Sequence, residues 1–178
     1  MTRRDLLTFA AVSTRPGAVP AAEATTPLAL DWGYVADGVM GGVSTGRMTR
    51  ETLAGVDATR LTGDVSTEND GGFIQLAADL PDGSDPAAWA GLEIDVLGNG
   101  EGYDLRLRTT ALTRPWQSFR LAFDASPEWR TLRAPWSAFA PHRTEAAFDP
   151  AQLRRLGILA VGRAFKADIA VGALRLWR

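Results

Sequence analysis

The chain has 178 residues and a formal net charge of −2, with 46% hydrophobic and 22% charged residues. This size suits one domain with its own core, and no apolar run reaches the roughly 18 residues that a membrane-spanning helix needs. The sequence has no cysteine and one histidine, His142. Disulfides, thiolate metal sites and multi-histidine metal sites are therefore excluded, and the charge provides no basic field for nucleic acid.

The first 27 residues differ from the rest. Arg3 and Arg4 precede a short apolar stretch, as in a bacterial twin-arginine export signal. The alternative is a disordered tail rich in Ala, Thr and Pro. We therefore expect a signal-like or disordered segment at 1–27 and a folded domain at 28–178. The expected location is the bacterial cytoplasm, or the periplasm if the signal is functional.

From residue 28 onward, apolar and polar residues alternate with a period of two, which predicts strands with one buried and one wet face. The clearest alternation lies at 92–96 and 103–110. Helical patterns are scarce, and about nine short strands separated by turns predict an all-β antiparallel β-sandwich or jelly roll. Residues 60–65 and 73–80 are predicted to form a hairpin around the turn residues 69–72.

A glycine-rich segment follows residue 36, with glycines at positions 38, 41, 42 and 46 among apolar neighbours. Glycine is used where another backbone passes close by or where φ is positive. One interpretation is a packed loop that caps the sandwich, with Met40 and Val43 filling its end. The other is a recognition surface on which Asp37, Ser44 and Arg47 offer polar contacts.

A second turn, at Glu68, Asn69 and Asp70, is interpreted either as a tight turn without function or as part of a site. If this turn lies beside Asp37, its oxygen atoms suit a cation such as calcium, or sugar hydroxyls.

Six tryptophans offer either core anchors or a sugar-stacking platform. Trp129 and Trp177 follow the strand alternation and are predicted to lie in the core. Trp116 follows Pro115 in a loop and is predicted to be exposed.

Arg106, Arg108 and Arg120 lie on the polar faces of adjacent predicted strands. They form either a patch for an anionic partner or a solvated face that is paired with Asp and Glu.

The segment 37–44 reads DGVMGGVS and resembles the DxVMGGxS signature of the complex I intermediate-associated protein 30 family. Further segments resemble the family's motifs in the same order, namely Trp32 before the signature and then 63–73, 91–94, 103–109, 129–139 and 156–158. The resemblance covers about residues 30–177.

This resemblance implies a galactose-binding-like jelly roll without established catalytic residues or cofactors. Eukaryotic members assist the assembly of mitochondrial respiratory complex I. The resemblance thus implies a non-catalytic bacterial assembly factor that binds NADH:ubiquinone oxidoreductase subunits or assembly intermediates; the alternative is a carbohydrate-binding module. No metal ligand is expected, and the residues expected to bind are Asp37, Met40, Gly41, Gly42, Ser44, Arg47, Glu68, Asn69, Asp70 and Trp116.

Overall fold

The computed structural model describes residues 24–178, so the signal-like start at Arg3 and Arg4 lies outside the described residues. The described part confirms the all-β prediction, with twelve strands and only short 3-10 turns between them. None of its helices is long and apolar enough to span a bilayer. The strands are β1 Thr25–Pro27, β2 Gly33–Ala36, β3 Thr45–Leu53, β4 Val56–Val65, β5 Phe73–Asp79, β6 Gly91–Gly98, β7 Gly102–Thr109, β8 Ser118–Asp124, β9 Arg130–Pro135, β10 Ala140–His142, β11 Leu153–Val161 and β12 Phe165–Trp177. The 3-10 turns are Asp37–Met40, Glu68–Asp70, Pro86–Ala88, Trp136–Ala138 and Pro150–Gln152.

Two antiparallel sheets stack to form the sandwich. Sheet A has the order β3-β4-β12-β6-β9, and β1 pairs with the C-terminal part of β12. Sheet B has the order β10-β8-β7-β11-β5-β2. All strand pairs in both sheets are antiparallel, as the alternating sequence pattern predicts.

The core lies between the sheets and is built from the apolar side of each alternating strand. Sheet A contributes Leu92 and Ile94 from β6, both with no exposed surface, and sheet B contributes Leu105 from β7 and Ile158 from β11 in the same state. Burying one such side chain contributes about 1.5–3 kcal/mol, so this layer supplies the main driving force for folding.

The predicted hairpin at 60–65 and 73–80 is wrong. β4 pairs with β3 and β12 in sheet A, whereas β5 pairs with β11 and β2 in sheet B. Residues 66–72 therefore cross from one sheet to the other. A turn signal indicates where the chain changes direction, but it carries no information on which strand comes to lie beside the next.

Two tryptophans expected in the core lie on the outer face of sheet A, half-buried. The indole Nε1 of Trp129 donates to the Leu53 carbonyl at 3.0 Å, and the Arg133 guanidinium lies 3.7 Å from the ring centroid of Trp177. An indole is amphipathic, so the outward position of Trp129 lets its ring pack on the sheet while its N–H bonds a carbonyl. The buried tryptophan is Trp32, which is 7% exposed.

The folded body begins before residue 28. Thr25, Thr26 and Pro27 are in register with Trp177, Leu176 and Arg175. The sheet therefore includes three residues that the sequence pattern assigned to the N-terminal segment.

Candidate functional site

Two loops meet at one end of the sandwich. We call residues 37–44, which follow β2, the glycine loop, and residues 66–72, which connect β4 to β5, the crossover loop. The glycine loop leaves sheet B and leads into β3 of sheet A, while the crossover loop leaves sheet A and enters sheet B. Because both loops change sheets at this end, they lie side by side.

Asp37 joins the two loops. Its Oδ1 accepts the Ser44 backbone N–H at 3.0 Å, within the glycine loop. Its Oδ2 accepts the Ser44 hydroxyl at 2.5 Å and the backbone N–H groups of Gly72 and Phe73 at 2.6 and 3.1 Å. The Ser44 hydroxyl in turn accepts the Ser66 backbone N–H at 2.9 Å. One carboxylate thus satisfies donors from both loops.

These hydrogen bonds decide the charge state of Asp37. Burial alone raises the pKa of its carboxyl, but the Ser44 hydroxyl and three backbone N–H groups bind the anion and hold the pKa below its usual range. Asp37 has no exposed surface. Its oxygens are therefore not available to a partner, and it acts as a positioning residue rather than as the surface contact that the sequence predicted.

The glycines of both loops let backbone approach Asp37. A Cβ on Gly42 would lie 2.8 Å from the Asp37 Cβ, and a Cβ on Gly71 would lie 2.6 Å from Asp37 Oδ2. Gly41 has a φ of +90°, which side-chain-bearing residues rarely adopt. The pattern of an aspartate, two glycines and a serine therefore encodes one buried contact.

The apolar side chains of the glycine loop face solvent. Val39 is 77% exposed, Met40 69% and Val43 43%. The interpretation in which Met40 and Val43 fill the end of the sandwich is therefore wrong, because the buried Asp37 takes that place. The glycine loop therefore has its polar groups inside and three apolar side chains outside. We call these three residues, Val39, Met40 and Val43, the apolar tip.

Exposed polar residues lie on the crossover loop and at the start of β3. Arg47, at the start of β3, is exposed, as are Glu68, Asn69 and Asp70 of the crossover loop. Asn69 and Asp70 have φ of 55° and 57°, a conformation that these two residue types tolerate. Across residues 24–178 no group of three or more His, Cys, Asp or Glu side chains is arranged to hold a metal ion.

Trp116 is 52% exposed, in agreement with the sequence prediction. It lies in the loop between β7 and β8, and the Arg114 guanidinium carbon is 6.0 Å from its ring centroid. This loop follows Thr109, at the end of sheet B opposite to Phe73, where the glycine loop lies. The expected binding residues therefore divide between two ends of the domain.

The three arginines predicted to share a face do so. Arg106 of β7 is directly opposite Arg120 of β8, and Arg108 follows on the same side of β7. Their side chains lie on the outer face of sheet B, away from the core.

The architecture places the chain in a known structural class. A family 11 carbohydrate-binding module from Clostridium thermocellum, solved with a β-1,3-1,4-mixed-linked tetrasaccharide, is similar with a TM-score of 0.70. The two are 13% identical, over 88% of this chain and 96% of that chain. A family 30 module of a cellulosomal cellulase of the same organism has a TM-score of 0.57 and 15% identity, over 85% of this chain and 92% of that chain. These likenesses establish the fold, a galactose-binding-like β-sandwich.

Residues 23–175 match the family model of complex I intermediate-associated protein 30. The chain belongs to this family, which confirms the resemblance carried by DGVMGGVS. No curated protein sequence matches the chain.

Proposed function

We propose that the protein is a non-catalytic module that binds another protein through the apolar tip, and that its client is a subunit or assembly intermediate of respiratory NADH:ubiquinone oxidoreductase. Membership of the family supports the choice of client. The observation that carries the binding role is the exposure of Val39, Met40 and Val43 on a loop fixed from inside by Asp37.

The tip has the composition of the centre of an interface. Exposed apolar side chains that lie together mark surfaces at which proteins associate, and methionine adapts to irregular partners. Arg47 at the start of β3 and Glu68, Asn69 and Asp70 of the crossover loop are exposed and offer the polar groups that the rim of such an interface contains. Because the Asp37 contact already orders the loop, less conformational entropy is lost on binding.

Affinity purification from the native host tests this proposal. We expect the double variant Val39→Ser/Met40→Ser to recover about tenfold less of the complex I subunits than the wild type, because the centre of the interface is removed. The measurement is quantitative mass spectrometry of those named subunits.

Trp116→Ser is the matched control, since it removes another exposed hydrophobic side chain from the opposite end of the domain. Equal recovery of complex I subunits by the double variant and the wild type, with thermal stability unchanged, would refute the proposal.

A second candidate function is carbohydrate binding, and the exposed indole of Trp116 supports it, because such a ring offers a face for stacking on a sugar. On this proposal a gel containing mixed-linked β-glucan retards the wild type but not Trp116→Ala. Equal migration of the two proteins with and without glucan would rule this candidate out.

A further inference from the structure

The outer face of sheet A is electrostatically balanced. Arg60 forms a bidentate contact with Asp168 at 2.7 Å, and Arg175 contacts Asp95 at 2.9 and 3.0 Å. Exposed Lys166 lies 2.7 Å from Asp64. These three cations each have a carboxylate partner.

The outer face of sheet B is not balanced. Arg106 and Arg120 are directly opposite on neighbouring strands, a position in which like charges repel. They share one oxygen of a single carboxylate, since Oδ2 of Asp104 lies 3.0 Å from Arg106 and 3.9 Å from Arg120. One negative charge therefore faces two guanidinium groups.

Arg108 extends this excess of positive charge along β7. No carboxylate of residues 24–178 lies within ion-pair distance of it, and its buried Nε has no hydrogen-bond partner there. Its Nη2 donates to the Arg114 carbonyl at 2.9 Å. The nearby acid, Asp79, is bound by Arg155 at 2.8 Å. A guanidinium without a counter-charge is costly to hold in a partly buried position.

The pKa shifts of this face agree with a positive potential. Burial lowers the pKa of Arg108, and the nearby Arg154 and Arg155 lower it further. Burial likewise lowers the pKa of His142 on β10, followed by the effects of Arg106 and Arg120. Each of these groups is harder to protonate, first because it is buried and then because other cations are close by.

Beside the arginines the outer face of sheet B carries small residues. Across the neighbouring strands, the residues in register with Arg106 are Gly157 of β11, Ala77 of β5 and Gly33 of β2. Gly33 is exposed, whereas Gly157 and Ala77 are buried among neighbouring side chains. The outward positions of the six strands carry neither Trp nor Tyr, so sheet B itself lacks an aromatic platform for sugar rings.

We propose that the outer face of sheet B binds an acidic polypeptide segment, whose carboxylates pair with the arginines Arg106, Arg108 and Arg120. Guanidinium groups recognise carboxylates with two parallel hydrogen bonds, which suits them to this ligand. The choice of polypeptide rests on the proposed function, in which the client is a protein. This surface is separate from the apolar tip.

Fluorescence anisotropy with a labelled synthetic peptide, in which glutamate alternates with serine, tests this inference on the full chain. We expect the wild type to bind the peptide at low salt and to bind it more weakly as salt is added. A peptide with glutamine in place of glutamate is expected not to bind. The double variant Arg106→Gln/Arg120→Gln is expected to bind the acidic peptide at least about tenfold more weakly.

The matched control is Arg50→Gln/Lys166→Gln, which removes two exposed cations from sheet A and changes the net charge equally. We expect its affinity to stay within about twofold of the wild type. Equal loss in both double variants would overturn the inference, because it would show an effect of net charge alone. Binding of labelled oligogalacturonate at least as tight as that of the peptide would overturn the choice of a polypeptide. Neither result bears on the apolar tip, whose test is the recovery of complex I subunits.

Discussion

At the scale of single residues, the sequence signature of the family is explained by a buried carboxylate. The DGVMGGVS pattern indicated a tightly built loop, because four glycines lie within nine residues of Asp37. It did not indicate that Asp37 points inward, since aspartate is usually exposed and its donors Gly72 and Phe73 lie 35 and 36 residues away. Long-range backbone donors leave no local pattern in a sequence.

Replacement of Asp37 by asparagine is expected to lower the free energy of unfolding by about 2–3 kcal/mol, because the amide NH₂ meets donors where an oxygen accepted them. Chemical denaturation measures the difference. Asp70→Asn is the control in the neighbouring loop, and we expect a change below about 0.5 kcal/mol, because Asp70 is exposed and asparagine suits its positive φ.

The same variant has a defined pH dependence. The folded-state pKa of Asp37 is lowered relative to an unfolded value of about 3.9. The contribution of the carboxylate to stability is therefore complete above the unfolded-state pKa, and it is lost as the pH falls through the folded-state pKa. The stability difference between wild type and Asp37→Asn should therefore narrow in acid. A difference that is constant down to the acid limit would contradict the assigned role of the carboxylate.

Gly42→Ala is expected to destabilise the domain by about 1–3 kcal/mol, because the new Cβ overlaps Asp37. Thermal and denaturant unfolding measure this change. Gly38→Ala adds the same group to the same loop, where no atom lies within 4 Å, and should leave stability nearly unchanged. Equal effects of the two substitutions would indicate a general backbone cost instead of the specific overlap.

At the scale of elements, alternation predicted strands well where one face is buried and the other wet. Leu92, Ile94 and Val96 of β6 are buried as that pattern requires. The alternation did not predict which strands pair. β4 and β5 alternate as the two strands of a hairpin would, although they lie in different sheets. Strand partners depend on contacts distant in sequence, which no local period encodes. β1 was missed because three residues are too few to show a period.

The role of β1 can be tested by truncation. A chain that begins at residue 28 loses the pairing of β1 with β12 and the bond from the Arg178 N–H to the Ala24 carbonyl. We expect it to be less stable than a chain that begins at residue 24 by about 1–3 kcal/mol, since each net hydrogen bond contributes near 1 kcal/mol. Identical unfolding curves for the two chains would show that β1 adds nothing to sheet A.

At the scale of the whole molecule, the two outer faces differ in how their charges are arranged. Arg60 and Arg175 on sheet A stabilise the fold through carboxylate partners, while Arg106, Arg108 and Arg120 on sheet B repel one another. The sequence placed the latter three on one face, but it did not show whether each arginine has a carboxylate of its own. That distinction depends on which acidic residues the neighbouring strands bring alongside.

Arg120→Gln is therefore expected to raise the free energy of unfolding by about 0.2–0.5 kcal/mol at low ionic strength, because a cross-strand repulsion is removed. The gain should vanish at high salt, where the repulsion is screened. Arg175→Gln is the comparison, and it should destabilise, since it leaves Asp95 without its guanidinium. A loss of stability for Arg120→Gln at low salt would show that this face is balanced after all.

The contact between Asp37 and the crossover loop also determines when the apolar tip exists. Its partners come from segments that leave different sheets, so the carboxylate finds its donors only after both sheets have stacked. An immature polypeptide has no such tip to present. Under the proposed function, client binding is therefore coupled to completion of the protein's own folding, and we expect an unfolded or damaged copy not to bind the client.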